Sequence, residues 1–428
     1  MIDSLHQTYS VCPVCKARIP AEYVRRDAKI YFESRCPQHG VSATLFWQGT
    51  CDFNTWRGNT APQHLPETSE CPHACGLCGE HRSRTCCTLI EVTGRCNLNC
   101  RFCFADASAD CEPPLERLLA AIRDIASRGD TLLQLSGGEP TVRSDLPALI
   151  SGAREAGIRT IQLNTNGVRL AEEPGYAGRL AAAGLDIVFL QFDGVDDAVY
   201  TALRGRPLLR AKQRAIENSG AAGLGVVLVP TLVPGINDRQ IGEILRFGVS
   251  RSPYVRGVHY QPVTYMGRIP DRPGTDDRLT LDALIEAIVL QSGGLVDKKD
   301  LAPSACDHPL CGLHGDFVVR PDGTLYPLHG GSSCCCAKKD AAVNRRFVVK
   351  RWKRTPVGPP PARIDAPDRL DTLDGFLSNV REHGFTVTAM AFQDAYNLDL
   401  ERLRRCSLHV YDGGRMIPFC AYYQGLWK

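Results

Sequence analysis

Cysteine thiols are the side chains best placed to do chemistry in this chain of 428 residues, which has 20 of them, and two groups share one spacing. Cys71, Cys75 and Cys78 lie in CPHACGLC, and Cys96, Cys100 and Cys103 lie in CNLNCRFC. Three thiolates so placed on one loop can hold three corners of a [4Fe–4S] cube and leave the fourth iron open to a small molecule. Context separates the two copies. The second follows the apolar run Thr88 to Val92, carries Phe102 just before its last cysteine, and is followed by Gly137-Gly138-Glu139-Pro140. The first has none of these. Cys96, Cys100 and Cys103 are therefore the expected reaction centre. Cys71, Cys75 and Cys78 are expected to hold an auxiliary [4Fe–4S] cluster at the entrance of the catalytic body, with a fourth ligand from Cys86 or Cys87; a second zinc site is the structural alternative.

The other cysteines fall at the two ends of the chain. Cys12-Pro-Val-Cys15 with Cys36-Pro-Gln-His39 reads as two knuckles of a small ribbon closing around Zn²⁺ or a rubredoxin-like iron, its fourth ligand open between His39 and Cys51. Cys306, Cys311, Cys336 of the triplet Cys334 to Cys336, Cys406 and Cys420 supply thiolates for a further auxiliary cluster near the C-terminus. No secretory leader pattern and no apolar run of about 18 residues is present, which predicts a cytoplasmic protein without a transmembrane segment. In a reducing compartment, clustered cysteines mean metal rather than disulfide. A net charge of +3 supplies no global field, and no nucleic-acid partner is expected.

The elements that must position these groups alternate in type. Apolar runs at 88–92, 131–136, 159–167, 186–194, 225–235 and 257–265 are separated by amphipathic stretches such as LERLLAAIRDIASRG and DLPALISGAREAG. Six βα units predict an α/β fold with a parallel sheet, a partial (β/α)6 barrel over 86–290. An N-terminal segment, 1–85, would carry the ribbon and first cysteine triplet. A cysteine-rich domain, 291–428, would follow, with a Pro-rich linker near 355–363, a helix in LDTLDGFLSNVREHG and a strand in FTVTAMAF. Chemistry in such folds collects at the C-terminal ends of the strands. Gly137, Gly138, Glu139, Asn164, Asn166, Asp193 and Gln261 lie at those ends and are the candidate cofactor contacts, against the plain reading of turns and caps. Arg204 and Arg206, with Lys212, form a basic cluster suited to an anionic substrate or to a solvated helix start. The basic run RRFVVKRWKR, 345–354, reads as an exposed strand leading into the linker. No residue stands out as a catalytic acid, base or nucleophile.

With CGLCGEH, CNLNCRFCFA, LSGGEPT, LNTNG, QFDGVDDAVYTALRGR, VLVPTLVPGINDRQIG, VRGVHYQPVTYMGR and IPFCAY in order, the chain resembles the radical S-adenosylmethionine (radical SAM) superfamily. Within it the resemblance is to the subfamily that includes archaeal tetraether-lipid synthase and proteins named dihydropterin methyltransferases. That resemblance implies a cluster at Cys96, Cys100 and Cys103 that binds S-adenosylmethionine and yields a 5′-deoxyadenosyl radical. It also implies auxiliary clusters, a mononuclear Fe or Zn site, and a flavodoxin- or ferredoxin-type reductant. The Gly-Gly-Glu turn and the Asn164 and Asn166 side chains would lie near the cofactor. The expected reaction is hydrogen abstraction followed by C–C bond formation on a lipid chain or other small molecule, with at most peripheral contact with a membrane. A peptide-modifying maturase and a radical SAM methyltransferase are the alternative enzymes, and a non-catalytic Fe–S or zinc protein the alternative class. The chain departs from the subfamily after residue 295, in CDHPLCGLHG and the cysteine triplet, which bears on the substrate more than on the radical chemistry.

Overall fold

The computed structural model describes residues 2–58, 70–105, 111–304, 306–328, 349, 351–354 and 373–426. The triplet Cys334 to Cys336 and the linker at 355–363 lie outside the described residues. Its first four strands, β1 (Ile2–Val11), β2 (Arg18–Arg26), β3 (Lys29–Cys36) and β4 (Gly40–Trp47), form an antiparallel meander in that order. Alternation puts Tyr23, Phe32 and Trp47 on one buried face, where they pack with Phe53. The β1–β2 and β3–β4 turns carry the two knuckles to the same end.

The catalytic body is built on β5 (Cys87–Thr93), β6 (Leu132–Gly137), β7 (Thr160–Thr165), β8 (Ile187–Gln191), β9 (Gly225–Val229), β10 (Thr231–Leu232) and β11 (Val255–Pro262). Six of these, β5-β6-β7-β8-β9-β11, pair parallel and neighbour to neighbour. They match the six expected runs. The fifth run is split after β9 because Pro230 has no N–H for the ladder, and β10 pairs with β11 instead. Expected helices appear at Leu115–Ser127 and Leu146–Glu155, and Leu118, Ile122 and Ile125 are the buried stripe of the first.

The C-terminal part adds β12 (Ala302–Pro303), β13 (Gly312–Val319), β14 (Leu325–Pro327), β15 (Gly384–Met390), β16 (Leu408–Asp412) and β17 (Arg415–Pro418). These extend the same sheet at both edges. β15 lies parallel to β11, with β13 antiparallel beyond it, and β16 lies parallel to β5, with β17 antiparallel beyond it. The helix Leu373–His383 and β15 follow the expected helix and strand.

Each central strand therefore has two unlike faces. Leu133, Leu135, Ile161, Leu163, Val188, Leu190, Val226 and Leu228 belong to the apolar core. The alternate residues Gln134, Ser136, Gln162, Asn164, Phe189, Gln191, His259 and Gln261 line a lumen. That second set carries the site.

Candidate functional site

The cysteine loop leaves the C-terminal end of β5 and is bound into the rim of the barrel on three sides. Gly138 N donates to Thr93 O at 2.7 Å and Glu139 N to Arg95 O at 2.8 Å. A Cβ at Gly137 would fall against the Thr93 carbonyl oxygen, and one at Gly138 against that of Arg95. The two glycines thus admit the backbone of the cysteine loop itself. On the second side Cys103 exchanges both backbone hydrogen bonds with Arg268, at 3.0 and 2.8 Å. On the third, Arg101 N reaches Leu203 O at 3.0 Å, and the Asn166 amide donates to Asn97 Oδ1 at 2.7 Å.

Glu139 is buried, and its carboxylate accepts from Thr141 N and Oγ1, Thr165 Oγ1 and Asn166 N, at 2.6 to 3.1 Å. Its side chain ties the end of β6 to the end of β7, and leaves its backbone, with Gly137 and Gly138, on the cavity wall. Asn164 faces the lumen, where its Oδ1 accepts from Gln134 at 2.6 Å and Gln162 at 3.3 Å. Gln261 lines the same wall with no side-chain hydrogen bond to a described residue.

Asp193 and the basic cluster sit differently from the sequence expectation. Asp193 is fully buried and receives both arms of the Arg204 guanidinium, at 2.8 and 2.7 Å, and Thr231 N at 3.1 Å. Arg204, read from the sequence as an anionic-substrate contact or part of a solvated helix start, is buried, lines the cavity and also donates to Phe102 O at 3.4 Å. Arg206 is exposed and apart from the cavity. Lys212 is wholly buried and donates to Asn166 O at 2.6 Å; burial pulls its pKa down to about 8. The three bases form no common anion patch, because two of them complete buried hydrogen-bond networks.

Cys96, Cys100 and Cys103 face one cavity of about 370 Å³ together with Gly137, Gly138 and Glu139. Leu98 N donates to Cys96 Sγ at 3.4 Å, a bond suited to a thiolate. Burial raises the Cys96 thiol to about 11, and the charges of Glu139, Cys100 and Cys103 act in the same direction. A cationic cluster would invert that electrostatics and hold the Cys96 thiolate. The donor set fits the expected [4Fe–4S] group.

In the ribbon, one ligand atom each from Cys12, Cys15, Cys36 and His39 lies within 4.8 Å of the other three. Cys51 instead packs with Trp47, Phe53 and Trp56, and its carbonyl accepts from the Trp47 indole at 2.7 Å. His39 is the fourth member. The Cys12 thiol sits at about 7: burial alone would raise it, but hydrogen bonds from the Cys15 and Val14 backbone and the neighbouring thiols outweigh that.

Cys71 and Cys75 are buried side by side, and their hydrogen bond lowers the first and raises the second. Cys75 also feels the charges of Cys78 and Cys406. Cys86 and Cys87 turn away into the lumen, Cys86 toward Cys306 and Cys87 toward Gln134 Oε1 at 3.3 Å. Cys311 and Cys420 are buried and Cys406 is half-buried near them; burial raises all three thiols, and the charges of Asp307, Cys420 and Cys311 add to the rise at Cys406. Cys306 is therefore separate from the C-terminal thiols with which it was grouped, and Cys336 lies outside the described residues.

Sequence reasoning missed Asn97, Gln134, Gln162, His259 and Trp352. The signal for the glutamines was present: in LLQLSG and TIQLNT a polar residue alternates with apolar ones inside strands otherwise buried on both faces. Trp352 gave no such signal. It lies in the basic run expected to be an exposed strand, yet Arg351 and Trp352 are helical and buried. Its ring fills space between strands distant in sequence.

Residues 90–248 match the model of the radical SAM superfamily, and residues 4–48 that of the HMPTM N-terminal zinc ribbon domain. The 7,8-dihydro-6-hydroxymethylpterin dimethyltransferase of Methanocaldococcus jannaschii is 33% identical over 470 aligned residues, covering 97% of this chain and 93% of the relative. A probable GTP 3′,8-cyclase of Sulfolobus acidocaldarius is 32% identical over 38% of this chain and 51% of its own length. Among solved structures, Streptococcus suis SuiB bound to its precursor peptide SuiA is 20% identical, covers 42% of this chain and 40% of that one, and has a TM-score of 0.37. With its zinc-ribbon knuckles, its cysteine loop over the rim of a parallel α/β barrel, and near full-length similarity to the Methanocaldococcus jannaschii relative, the chain belongs to the radical SAM superfamily, in the family of that relative.

Proposed function

We infer that this radical SAM enzyme forms a C–C bond, by methyl or alkyl transfer, on a compact substrate with a hydrogen-bonding edge, a reduced pterin such as the one in the relative's name being the leading candidate. When bound, the cluster and S-adenosylmethionine supply a carbon radical that abstracts a substrate hydrogen. The chain's own residues do the rest. The Glu139 staple and the Asn166–Asn97 bond hold the cysteine loop over the strand ends, and the Asp193–Arg204 pair braces it from the opposite side. Phe102, Leu98 and Phe419 add apolar surface to the cavity beside the cysteines.

One observation supports the substrate class: a row of amides and hydroxyls crosses a lumen whose lining is otherwise mostly apolar. Gln134, Gln162 and Asn164 form a row on β6 and β7, faced by Gln261, His259 and Thr388 on β11 and β15. Gln162 is 2% exposed, and its Oε1 has no hydrogen-bond partner among the described residues. A planar heterocycle with N–H groups on its edge would pair with this row once the Gln162 amide turns toward the lumen, whereas an alkyl chain offers it no donor or acceptor. This favours the small-molecule reading over the lipid one.

The auxiliary cluster is assigned to Cys71, Cys75 and Cys78 with Cys406, and an electron donor of the flavodoxin or ferredoxin class would feed it. No helix among the described residues is long and apolar enough to cross a membrane.

Anaerobic reconstitution with a reductant, S-adenosylmethionine and 7,8-dihydro-6-hydroxymethylpterin should release 5′-deoxyadenosine as product in a pterin-dependent manner, lost in Cys96→Ala. In Gln162→Leu the product should fall while S-adenosylmethionine affinity is kept. Undiminished 5′-deoxyadenosine from Cys96→Ala would sink the assignment.

A further inference from the structure

Part of the floor of the lumen is not made by the barrel strands. A short segment, Val349 and Arg351 to Arg354, crosses the N-terminal ends of β8, β9 and β11. Trp352 packs on Ile187, Phe189, Val227 and Val229, the inward side chains of β8 and β9. Its indole N–H donates to Thr386 Oγ1 on β15 at 2.8 Å. Its ring centre lies 5.5 Å from that of Phe189 and 6.4 Å from that of His259 on β11. One side chain thus meets four consecutive strands of the sheet, β8, β9, β11 and β15.

The main chain of the segment is equally committed. A Cβ at Gly225, the first residue of β9, would fall against the Trp352 carbonyl oxygen and 3.1 Å from its carbon, so the plug passes where only glycine leaves room. Arg256, fully buried near the start of β11, donates to the carbonyls of Arg351 at 2.7 Å, Arg381 at 2.8 Å and Glu382. Lys353 pairs with Asp186, just before β8, at 2.7 Å, and the Arg354 guanidinium lies 4.9 Å from the centre of the Tyr254 ring. Each anchor sits at the N-terminal end of a strand. The bases that read as a surface patch in the sequence hold this plug in place.

We propose that Trp352 is the specificity-determining residue of the cavity: it ends the lumen, admits a compact ring-sized substrate and keeps an extended alkyl chain from running along the barrel axis. The indole covers Ile187 and lies against Phe189, so the space left is toward Gln191 at the strand ends, where a heterocycle would lie beneath the cysteine loop. The proposal rests on the reading that substrate occupies the lumen, and its test is independent of turnover.

The test measures binding of n-alkanols of increasing chain length by calorimetry, on the reconstituted full-length protein with S-adenosylmethionine present. Wild type, Trp352→Phe and Trp352→Leu are compared. In wild type the affinity should stop rising once the lumen is filled. In Trp352→Leu it should go on rising by about fourfold per added methylene, so that the cut-off moves to longer chains. Trp352→Phe should move it less. The same cut-off in all three proteins would overturn the proposal, as would wild-type affinity that grows with chain length without a limit. Should Trp352→Leu lose S-adenosylmethionine binding, Trp352→Phe decides: a longer cut-off supports the floor, and an unchanged one refutes it. Failure of the pterin assay would leave the alkanol result standing, because the cut-off reads lumen depth alone.

Discussion

Gly138→Ala adds one methyl group where the cysteine loop meets the rim. The new Cβ would fall against the Arg95 carbonyl oxygen, 2.7 Å from the Arg95 carbonyl carbon and 2.9 Å from the Gly94 oxygen. Ordinary carbon contacts are about 3.5–4.0 Å, so the loop must retreat by about 1 Å. All three obstructing atoms are backbone, and rotamer changes cannot relieve them. A retreat of that size breaks the hydrogen bonds Gly138 N to Thr93 O and Glu139 N to Arg95 O. Overpacking costs about 1–3 kcal/mol, and each backbone bond contributes about 1 kcal/mol, which together give about 3–5 kcal/mol. The strain lies on the loop that carries Cys96, Cys100 and Cys103, while the apolar faces of β5 and β6 are untouched. The variant should therefore fold but hold the cluster and S-adenosylmethionine at least about 100-fold more weakly. Iron and sulfide per chain after reconstitution, electron paramagnetic resonance of the reduced cluster and thermal melting read this directly. Gly178→Ala, in the helix Tyr176–Ala183 with nothing within 4 Å of its added Cβ, is the control and should keep full iron content. Wild-type cluster content and S-adenosylmethionine affinity in Gly138→Ala would refute the argument.

His259 and the ribbon give two further expectations. Burial lowers the His259 pKa to about 4, against an ordinary value near 6.5, so its neutral form is the native one. Between those values the unfolded chain binds more protons than the folded one, and stability is lost as pH falls through that window, by on the order of 2 kcal/mol from pH 6.5 to 5. Denaturant titrations of His259→Gln should show a correspondingly shallower acid loss; equal slopes for the two proteins would remove His259 from the account. His39→Ala should lower bound metal by one site per chain and destabilise β1 to β4, whereas Cys51→Ala should leave metal content unchanged, as checked by elemental analysis.

Much of the catalytic body was legible because its determinants are local. Runs such as DIVFLQFDG and TLLQLSGGEP carry strand propensity, a terminating glycine and the polar end residues within ten positions, and the strands form at those places. The triplet Cys96, Cys100 and Cys103 was distinguished from its twin by Phe102, the preceding strand and the Gly137 to Glu139 turn, which lines the same cavity. Roles that depend on a partner far along the chain were not legible. Arg204 reads as a surface base until Asp193 and Thr231 are placed beside it, and Cys306 joins Cys86 across 220 positions because β5 and the start of the C-terminal part meet at the lumen. His39 and Cys51 were equal candidates until the β3–β4 turn carried one to the metal site and burial against Trp47 took the other away.

Residue type and spacing alone established the parallel α/β body, the cysteine loop over its rim and the thiol ligands of the ribbon, since side-chain period, turn chemistry and ligand spacing are properties of short segments. Tertiary structure alone decided that the C-terminal segment supplies both edges of the sheet and the floor of the lumen. Strand pairing and cavity closure depend on which surfaces meet, and no local pattern in RRFVVKRWKR distinguishes an exposed strand from a plug whose tryptophan is buried among β8, β9 and β15.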